Sequence, residues 1–451
     1  MRALLISTFD LGRQPFGLAS PAAWLREAGV QVTCADLAKE RLDAEAVRAA
    51  DAVAFFLPMH TATRLALPVV DRVREWNPTA RLIAYGLYGP LNESLLRDRG
   101  VTTVLGGEFE EALVSAITGA TPSATPAAGA ADSSSSIPHL HFRVPDRHGL
   151  PPLTSYARLQ VAGESRTVGY TEASRGCRHL CRHCPIVPIY NGRFRVVPPD
   201  VVLADVAAQV AAGARHITFG DPDFFNGIRH AQRVVEGLAR RCPGVSYDVT
   251  IKVEHLLRHA DMLRLLRETG CAFVTSAVES IDDEVLRRLE KGHTRADFER
   301  VVDLCAAHGL PLAPTFVPFT PWTTLDGYIE LLRALAALRL QEHVAPIQLV
   351  IRLLIPEGSR LLELDDIRAV TRGFDSATLT HRWAHPDPRV DRLQERLAAL
   401  VGLETAASRI DTFRRVWQAA HEAAGVQAPP PDSSPAIVRA TIPYLNEPWY
   451  C

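Results

Sequence analysis

Short apolar runs alternate with longer stretches of helical period through the first 117 residues. The apolar runs have the length of buried strands and lie at 3–8, 31–36, 52–58, 81–86 and 102–106. Stretches with one apolar helical face separate them, at 20–29, 43–50, 62–75, 92–99 and 108–118. This alternation predicts a doubly wound parallel sheet with helices on both faces. Ligands on such sheets bind beyond the carboxyl ends of the strands.

The composition changes between residues 118 and 138, where Ala, Ser, Pro and Gly replace almost every large apolar side chain. Such a segment cannot bury enough surface to offset the entropy of ordering it. We therefore expect a flexible linker at 118–138, after a first domain that spans residues 1–117.

A second series of strand-like runs and helical stretches follows a lead-in at 139–167. The strand-like runs lie at 168–173, 215–219, 246–252, 271–277, 312–317 and 347–354. The helical stretches lie at 200–213, 228–241, 258–269, 282–290, 296–308 and 325–338. Six such units predict an α/β domain over 139–360, with its chemistry at the carboxyl ends of the strands. Residues 361–451 predict a helical C-terminal region with a proline-rich hinge at 428–435.

The overall composition is that of an ordinary globular protein, with 47% apolar residues, 22% charged residues and a formal net charge of −2. A charge so close to zero gives no electrostatic case for nucleic acid or an acidic membrane. No apolar run approaches the roughly 20 residues that span a bilayer. Eight cysteines, three of them clustered, favour a reducing compartment and a metal over a disulfide framework. We therefore expect a cytoplasmic protein with neither a nucleic-acid nor a membrane partner.

The clustered cysteines are Cys177, Cys181 and Cys184, spaced C-x3-C-x2-C directly after the first strand of the second domain. Because thiolates prefer soft centres, this loop predicts ligands for an iron–sulfur cluster or for zinc. Three ligands on a [4Fe–4S] cluster leave one iron free for a small molecule. Zinc needs a fourth ligand, and His179 or His183 would then have to turn inward. A zinc-binding regulatory or scaffold protein therefore stays open as the non-enzyme alternative.

This cysteine spacing, in this setting, resembles the signature of the radical S-adenosylmethionine (SAM) superfamily. The resemblance implies a partial (βα)6 barrel and a [4Fe–4S] cluster whose ligands are the three cysteines and whose fourth iron binds SAM. It also implies an external electron donor such as flavodoxin or ferredoxin. The first domain resembles the cobalamin-binding-like domain that precedes many such barrels. Because the D-x-H-x-x-G motif is absent, the sequence leaves cobalamin itself open; His60 is the one histidine near a predicted strand end.

Polar residues at the carboxyl ends of the predicted strands are the candidates for contacts with SAM. In the radical SAM superfamily, which this sequence resembles, residues at such positions bind the amino group, the ribose and the adenine of SAM. The matching residues here are Asp221, Asp223, Glu279, Ser280, Arg352 and Pro356. Turn formation alone would explain the proline and glycine residues around several of them. Lys252 and Glu254 are weaker candidates, since a surface ion pair would account for them equally well.

The tail ending in Trp-Tyr-Cys, together with motifs at 58–62, 85–88 and 106–108, resembles a family named for its Cys-Sec-Ala-Glu-Pro or Cys-Cys-Ala-Glu-Pro tail. A member of that family acts in arsinothricin biosynthesis. This resemblance implies transfer of the 3-amino-3-carboxypropyl group of SAM to trivalent arsenic, either arsenite or a methylated As(III) species. Cys451 would then be a catalytic soft-donor ligand; a tail without function is the alternative. We expect the codon after Cys451 to be UGA, followed by codons for Ala-Glu-Pro.

The sequence thus predicts a radical SAM transferase that acts on a small molecule in natural-product biosynthesis, with arsenic as the most specific substrate hypothesis. A cobalamin-dependent radical SAM methyltransferase is the alternative enzyme, and bound corrinoid would favour it.

Overall fold

The computed structural model describes residues 1–120, 138–403, 408–427, 429 and 444–445. Most of the linker predicted at 118–138 lies outside these residues, and so does Cys451. Within the described residues, no helix combines the length and the apolar character that crossing a bilayer requires.

The first domain is the parallel sheet that the alternating pattern predicts. Its strands are β1 (Arg2–Ser7), β2 (Gln31–Asp36), β3 (Ala52–Phe56), β4 (Arg81–Tyr85) and β5 (Thr103–Leu105). They pair in the order β2-β1-β3-β4-β5, and every pairing is parallel. The helices are α1 (Phe16–Glu27), α2 (Ala44–Ala49), α3 (His60–Trp76), α4 (Tyr88–Leu91), α5 (Glu93–Asp98) and α6 (Glu110–Thr118).

Alternate residues of β1 belong to two separate apolar cores, one on each face of this sheet. Leu4 and Ile6 pack into one core, whereas Ala3 and Leu5 pack into the other. A strand buried on both faces reads as a continuous apolar run, because successive side chains point to opposite faces. The unbroken apolar run at the start of the chain is therefore explained by burial of β1 on both faces.

The second domain is built on a seven-stranded, curled sheet. Its strands are β6 (Arg158–Val161), β7 (Glu164–Thr171), β10 (His216–Phe219), β11 (Ser246–Thr250), β12 (Cys271–Glu279), β13 (Leu312–Phe316) and β16 (Tyr444–Leu445). They pair in the order β13-β12-β11-β10-β7-β6-β16. The five strands from β7 to β13 are parallel, and β6 and β16 add antiparallel strands at one edge. Two short ribbons stand apart, β8 (Ser174–Gly176) with β9 (Phe194–Val196) and β14 (Thr371–Asp375) with β15 (Thr380–Trp383).

Helices follow the strands of the curled sheet and continue beyond it. They are α7 (Val187–Tyr190), α8 (Pro199–Ala211), α9 (Ile228–Arg241), α10 (Val253–Arg258), α11 (Met262–Glu268), α12 (Asp283–Arg288), α13 (Arg295–Ala307), α14 (Leu325–Ala337), α15 (Asp365–Val370), α16 (Pro388–Leu403) and α17 (Arg409–Ala424). Local signals fix several of their ends. For example, Thr294 and Asp297 form a reciprocal capping box at the start of α13. Phe413 and Trp417 of α17 belong to the same apolar core as the helices that cover the curled sheet. The helical C-terminal part therefore packs against this partial barrel of curled sheet and helices.

One prediction of local structure is wrong, and two segments contain strands that the sequence did not predict. Residues 347–354 do not form a sixth strand: the chain makes a 3-10 turn at Pro346–Leu349 and then a single bridge between Phe319 and Arg352. The Gln348 side chain accepts a hydrogen bond from the Phe316 backbone at 3.0 Å, in the place where a neighbouring strand would accept it. The lead-in contains a strand, β6, that pairs with β7 as a hairpin. The C-terminal region is not wholly helical, since it also contains the β14–β15 hairpin.

Candidate active site

The cysteine loop begins where β8 ends, at the carboxyl edge of the curled sheet. Gly176 has a φ of +75°, and a Cβ atom there would come within 2.3 Å of the Tyr190 ring. Glycine is therefore required at the start of the loop. Further along, the Arg182 backbone donates to the Leu289 carbonyl at 3.0 Å, and the Arg360 side chain donates to the Leu180 carbonyl at 2.5 Å. The loop is thus held by two separate segments of the barrel.

The three thiols of this loop lie close enough together to affect one another's pKa. Cys177 and Cys181 are buried and Cys184 is half-buried. Burial raises the pKa of the Cys184 thiol to about 12, and the neighbouring thiols contribute to the increase. Burial also raises the pKa of Cys177. Such thiols are protonated at neutral pH unless a metal displaces the proton, as happens in metal ligands.

Two buried lysines stand beside these thiols. Lys252 Nζ lies 3.8 Å from Cys181 Sγ, and the Lys291 ammonium lowers the pKa of Cys184. Three thiolates give a [4Fe–4S]2+ cluster a net negative charge, which two ammonium groups offset. The donor set and its surroundings therefore fit such a cluster.

The scarcity of lysine in the sequence indicates this site, but the sequence-based prediction did not use it. The chain contains three lysines among 49 basic residues, and two of the three are the buried Lys252 and Lys291. The third, Lys39, is exposed. In a chain that otherwise uses arginine, a buried lysine marks a place where a compact ammonium group is required. The Lys252 ammonium and Glu254 are 3.9 Å apart, but Lys252 is buried, so this is not a surface ion pair.

Glu279 ends β12 and forms a buried cluster with two of these neighbours. Its carboxylate lies 3.1 Å from His183 Nε2 and 3.3 Å from Lys291 Nζ. Burial alone would raise the pKa of Glu279, but Lys291 and His183 outweigh it and lower the pKa to about 2. Ser280, next in the chain, accepts a hydrogen bond from the Asp282 backbone. His183 is therefore engaged with a carboxylate, as is His179 with Asp223 and Glu254.

Asp221 and Asp223 follow β10 but face different groups. Asp221 accepts hydrogen bonds from the Ala173 backbone at 2.9 Å and from the Ser174 hydroxyl at 2.5 Å, so it anchors the approach to the cysteine loop. Burial raises the pKa of Asp221 to about 7. Asp223 accepts from the Phe225 backbone with one oxygen, and its other oxygen faces two histidine rings.

Arg352 and Pro356 lie on the C-terminal side of the barrel. The Arg352 guanidinium stacks over the Trp383 ring at 3.5 Å and donates to Asp391 at 2.7 Å. Pro356 opens a turn in which the Ser359 hydroxyl donates to the Arg182 carbonyl of the cysteine loop at 3.3 Å. The structure thus brings the Pro356 turn to the cysteine loop and ties Arg352 to the helical C-terminal part.

A cavity of about 1150 Å³, its open mouth included, separates the carboxyl edges of the two sheets. The first domain contributes the loops that follow β1, β3, β4 and β5, through Asp10, Pro58, Met59, Gly86, Leu87 and Gly107. The second domain contributes the cysteine-loop segment and the turn after β10, through Glu172, Gly176, Tyr190, Gly220 and Asp221. Among the described residues that line the cavity there is no histidine; His60 Nε2 instead lies 2.5 Å from the Thr378 carbonyl.

A second cavity, of about 900 Å³, lies inside the curled sheet and shares Arg13, Gly220, Asp221 and Thr250 with the first. Its wall carries hydroxyl and carboxylate groups from neighbouring strands, namely Thr218, Asp248, Thr275 and Thr315. The two cavities therefore adjoin each other, from the cysteine loop into the barrel.

Comparison with known proteins agrees with this geometry. Residues 171–337 match the model of the Radical SAM superfamily. The chain is 26% identical over 169 residues to the ribosomal protein uS12 methylthiotransferase RimO of Desulfosudis oleivorans, covering 34% of this chain and 36% of that protein. It is 25% identical over 149 residues to bacteriochlorophyllide d C-12(1)-methyltransferase of Chlorobaculum tepidum, covering 32% of each. The chain thus spans about a third of the length of these curated relatives.

Two solved structures share the fold over most of the chain. The cobalamin-dependent SAM radical enzyme OxsB, with aqua-cobalamin bound, gives a TM-score of 0.66 at 13% identity, covering 92% of this chain and 70% of that one. The radical SAM methyltransferase TsrM of Kitasatospora setae, with cobalamin and a [4Fe–4S] cluster bound, gives 0.55 at 19% identity, covering 75% and 70%. Residues 171–337 therefore form a domain of the radical SAM type, a superfamily whose members use a [4Fe–4S] cluster and SAM, and most of the chain shares the fold of these two structures.

Proposed function

We propose that this chain is a cobalamin-dependent radical SAM methyltransferase that acts on a small polar molecule. One observation carries the proposal: the carboxyl edges of two parallel sheets face each other across a single cavity. Each such edge is the usual ligand-binding side of its own fold. Two ligand-binding edges with one space between them suit an enzyme that brings two cofactors together.

Cys177, Cys181 and Cys184 hold the cluster in this proposal. Lys252 and Lys291 offset its charge, since both lie buried beside the thiols. SAM occupies the strand ends next to the loop, where Asp221 lines both cavities. Contacts of SAM with Glu279, Ser280, Arg352 and Pro356 stay predictions. Asp223 is the weakest of the predicted SAM contacts, because its carboxylate already faces His179 and His255.

The loops of the first sheet would hold the corrinoid. Pro58, Gly86 and Gly107 present little polar side chain along their part of this wall, which suits the apolar face of a macrocycle, whereas Asp10 and Arg13 line the same cavity from the loop after β1. The described residues that line the cavity include no histidine, so none of them would offer the corrinoid an imidazole. When bound, the cluster would supply the electron that cleaves one SAM molecule, and the corrinoid would carry to the substrate a methyl group taken from a second SAM, which is released as S-adenosylhomocysteine.

The cavity inside the curled sheet would receive the substrate. The lining hydroxyl and carboxylate groups can hydrogen-bond a polar molecule and fix its orientation. Asp248 is itself positioned by His216 Nε2 at 2.8 Å and by the Thr218 hydroxyl at 2.6 Å. A fixed carboxylate of this kind favours a substrate with hydroxyl or amino groups.

Transfer of the 3-amino-3-carboxypropyl group of SAM to trivalent arsenic is the second candidate. It depends on the resemblance of the tail and on Cys451, a soft donor that suits As(III) but lies outside the described residues. A flavodoxin or ferredoxin as the electron donor is part of both candidates.

The products from SAM distinguish the two candidates. We propose anaerobic incubation of the reconstituted protein with SAM, a chemical reductant and hydroxocobalamin, with and without arsenite, followed by mass spectrometry. Methyl transfer predicts S-adenosylhomocysteine that requires added cobalamin, together with 5′-deoxyadenosine from the SAM molecule that the cluster cleaves. Methylthioadenosine that requires arsenite would instead support aminocarboxypropyl transfer. The Cys181→Ala variant, which lacks one proposed cluster ligand, should give neither product above background.

A further inference from the structure

Three metal-ligand side chains converge beside the cysteine loop without belonging to the thiol set. His179 lies between Cys177 and Cys181 in the loop, Asp223 lies in the turn after β10, and His255 lies on α10 after β11. One donor atom from each residue lies within 4.8 Å of the other two. Three separate segments of the chain therefore meet at one point.

The donor atoms are in ion-pair contact with one another, but these contacts lack the geometry of hydrogen bonds. Asp223 Oδ2 lies 2.7 Å from His255 Nδ1 and 3.6 Å from His179 Nε2. All three atoms are buried, and none has a hydrogen-bond partner among the described residues. Asp223 is fully buried and His255 is 3% exposed. A buried polar atom that lacks a well-aligned hydrogen bond is destabilising by up to about 1–3 kcal/mol, and a ligand bound by all three atoms would remove that cost.

Neighbouring groups orient these atoms toward a common centre. Glu254 Oε2 lies 3.7 Å from His179 Nδ1, whereas Asp223 approaches the other ring nitrogen, Nε2. A distance of 3.7 Å is too long for a hydrogen bond, but the Glu254 charge favours the tautomer with its proton on Nδ1, which leaves Nε2 free to bind metal. Likewise, Asp223 Oδ1 accepts from the Phe225 backbone, which leaves Oδ2 for the cluster.

We propose that His179, Asp223 and His255 bind one divalent transition-metal ion, for which Zn2+ is the best match. Two imidazoles and one carboxylate suit zinc and its neighbours, whereas magnesium and calcium require oxygen ligands. The ion ties the cysteine loop to the segments after β10 and β11, because each ligand comes from one of these segments. Three protein ligands leave a fourth position for water.

Metal analysis of the holoenzyme tests this proposal independently of its catalytic function. Cluster-loaded protein is equilibrated with Zn2+, passed over a chelating resin, and analysed for iron and zinc. We expect about one zinc per chain beside the cluster iron. His255→Gln and Asp223→Asn should lose most of that zinc. His259→Gln is the matched control: its ring lies 6.0 Å from the His255 ring, outside the three ligands, and should leave the zinc content unchanged.

Zinc-edge X-ray absorption of the wild-type protein makes the test independent of whether the variants fold. Bound zinc should show nitrogen and oxygen neighbours at about 2.0–2.2 Å and no sulfur at about 2.3 Å. Sulfur scattering would place the zinc on the cysteines and overturn the proposal. Wild-type protein that retains iron but no zinc would overturn it too, as would variants of His255 and Asp223 that keep the zinc.

Discussion

Arg175 donates two hydrogen bonds to Glu110, at 2.7 and 2.9 Å, across the boundary between the two sheets. The same guanidinium lies 3.3 Å from Glu108 and 2.8 Å from Glu172. Burial would raise the pKa of Glu110, but Arg175 outweighs it and holds the pKa below its usual value. In Glu108 and Glu172 burial prevails, and their pKa values are raised. Arg175, which lies on β8 directly before the cysteine loop, thus offsets the negative charge of acidic residues from both domains.

Replacing Arg175 should therefore destabilise the interface between the two domains. Arg175→Gln leaves Glu110 buried without its partner, and we expect the free energy of unfolding to fall by about 3–5 kcal/mol. Arg143→Gln is the control, because the Arg143–Glu27 pair is exposed and such pairs contribute about 0–1 kcal/mol. Urea unfolding of both variants measures the difference. Equal losses in the two variants would contradict this account of the interface.

Much of the fold could be predicted because its signals are local. The buried strands are continuous apolar runs such as that of β1, and the cysteine loop is identified by spacing alone. Residues 347–354 show the limit of this reasoning. They form an apolar run like that of a strand. However, the Phe316 backbone donates its hydrogen bond to the Gln348 side chain and not to a backbone carbonyl of a sixth strand. Short apolar runs do not distinguish a strand from other buried segments.

The parts of the site that escaped prediction depend on contacts between distant segments. Lys291 approaches the thiols from the segment after α12, and its local signal is the scarcity of lysine in the chain. The meeting of His179, Asp223 and His255 requires three segments to close on one point. Strand-end rules located Asp221 and Glu279, but their hydrogen-bond partners became apparent only in the folded chain.

The Lys252 ammonium should set the reduction potential of the cluster. Its Nζ atom lies 3.8 Å from Cys181 Sγ, so Lys252→Met removes a positive charge that favours the reduced, more negative cluster. We expect the midpoint potential to fall by on the order of 50–100 mV. Lys39→Met, at the exposed lysine, should leave the potential within roughly 10 mV of wild type. A redox titration followed by electron paramagnetic resonance checks both values, and an unchanged potential in Lys252→Met would contradict the assignment.

Asp221 should make stability depend on pH between about 4 and 7. Burial raises the pKa of its carboxyl to about 7 in the folded chain, above the ordinary value of 3.8. The folded state then binds a proton that the unfolded state releases, so this contribution is fully present below about pH 4 and is lost as the pH rises through 7. We expect the free energy of unfolding to fall by roughly 1–3 kcal/mol from about pH 5 to about pH 7 through this group.

The comparison of Asp221→Asn with wild type isolates that contribution. A carboxamide side chain cannot ionise, so the variant should lose this part of the pH dependence when urea unfolding is measured at both ends of that range. Asp200→Asn removes a carboxylate that is 89% exposed and should follow wild type. A pH profile of Asp221→Asn identical to that of wild type would refute the role given to the buried carboxyl.

The cobalt and iron content of anaerobically reconstituted protein tests most directly whether a corrinoid shares the inter-sheet cavity with the cluster. After loading with iron, sulfide and hydroxocobalamin, the account predicts about four irons and about one cobalt per chain. Leu87→Trp, in the cavity wall, should keep the iron and lose most of the cobalt, whereas Leu65→Trp, at an exposed leucine of α3, should keep both. Four irons without cobalt in the wild-type protein, or equal cobalt in the two leucine variants, would contradict the account.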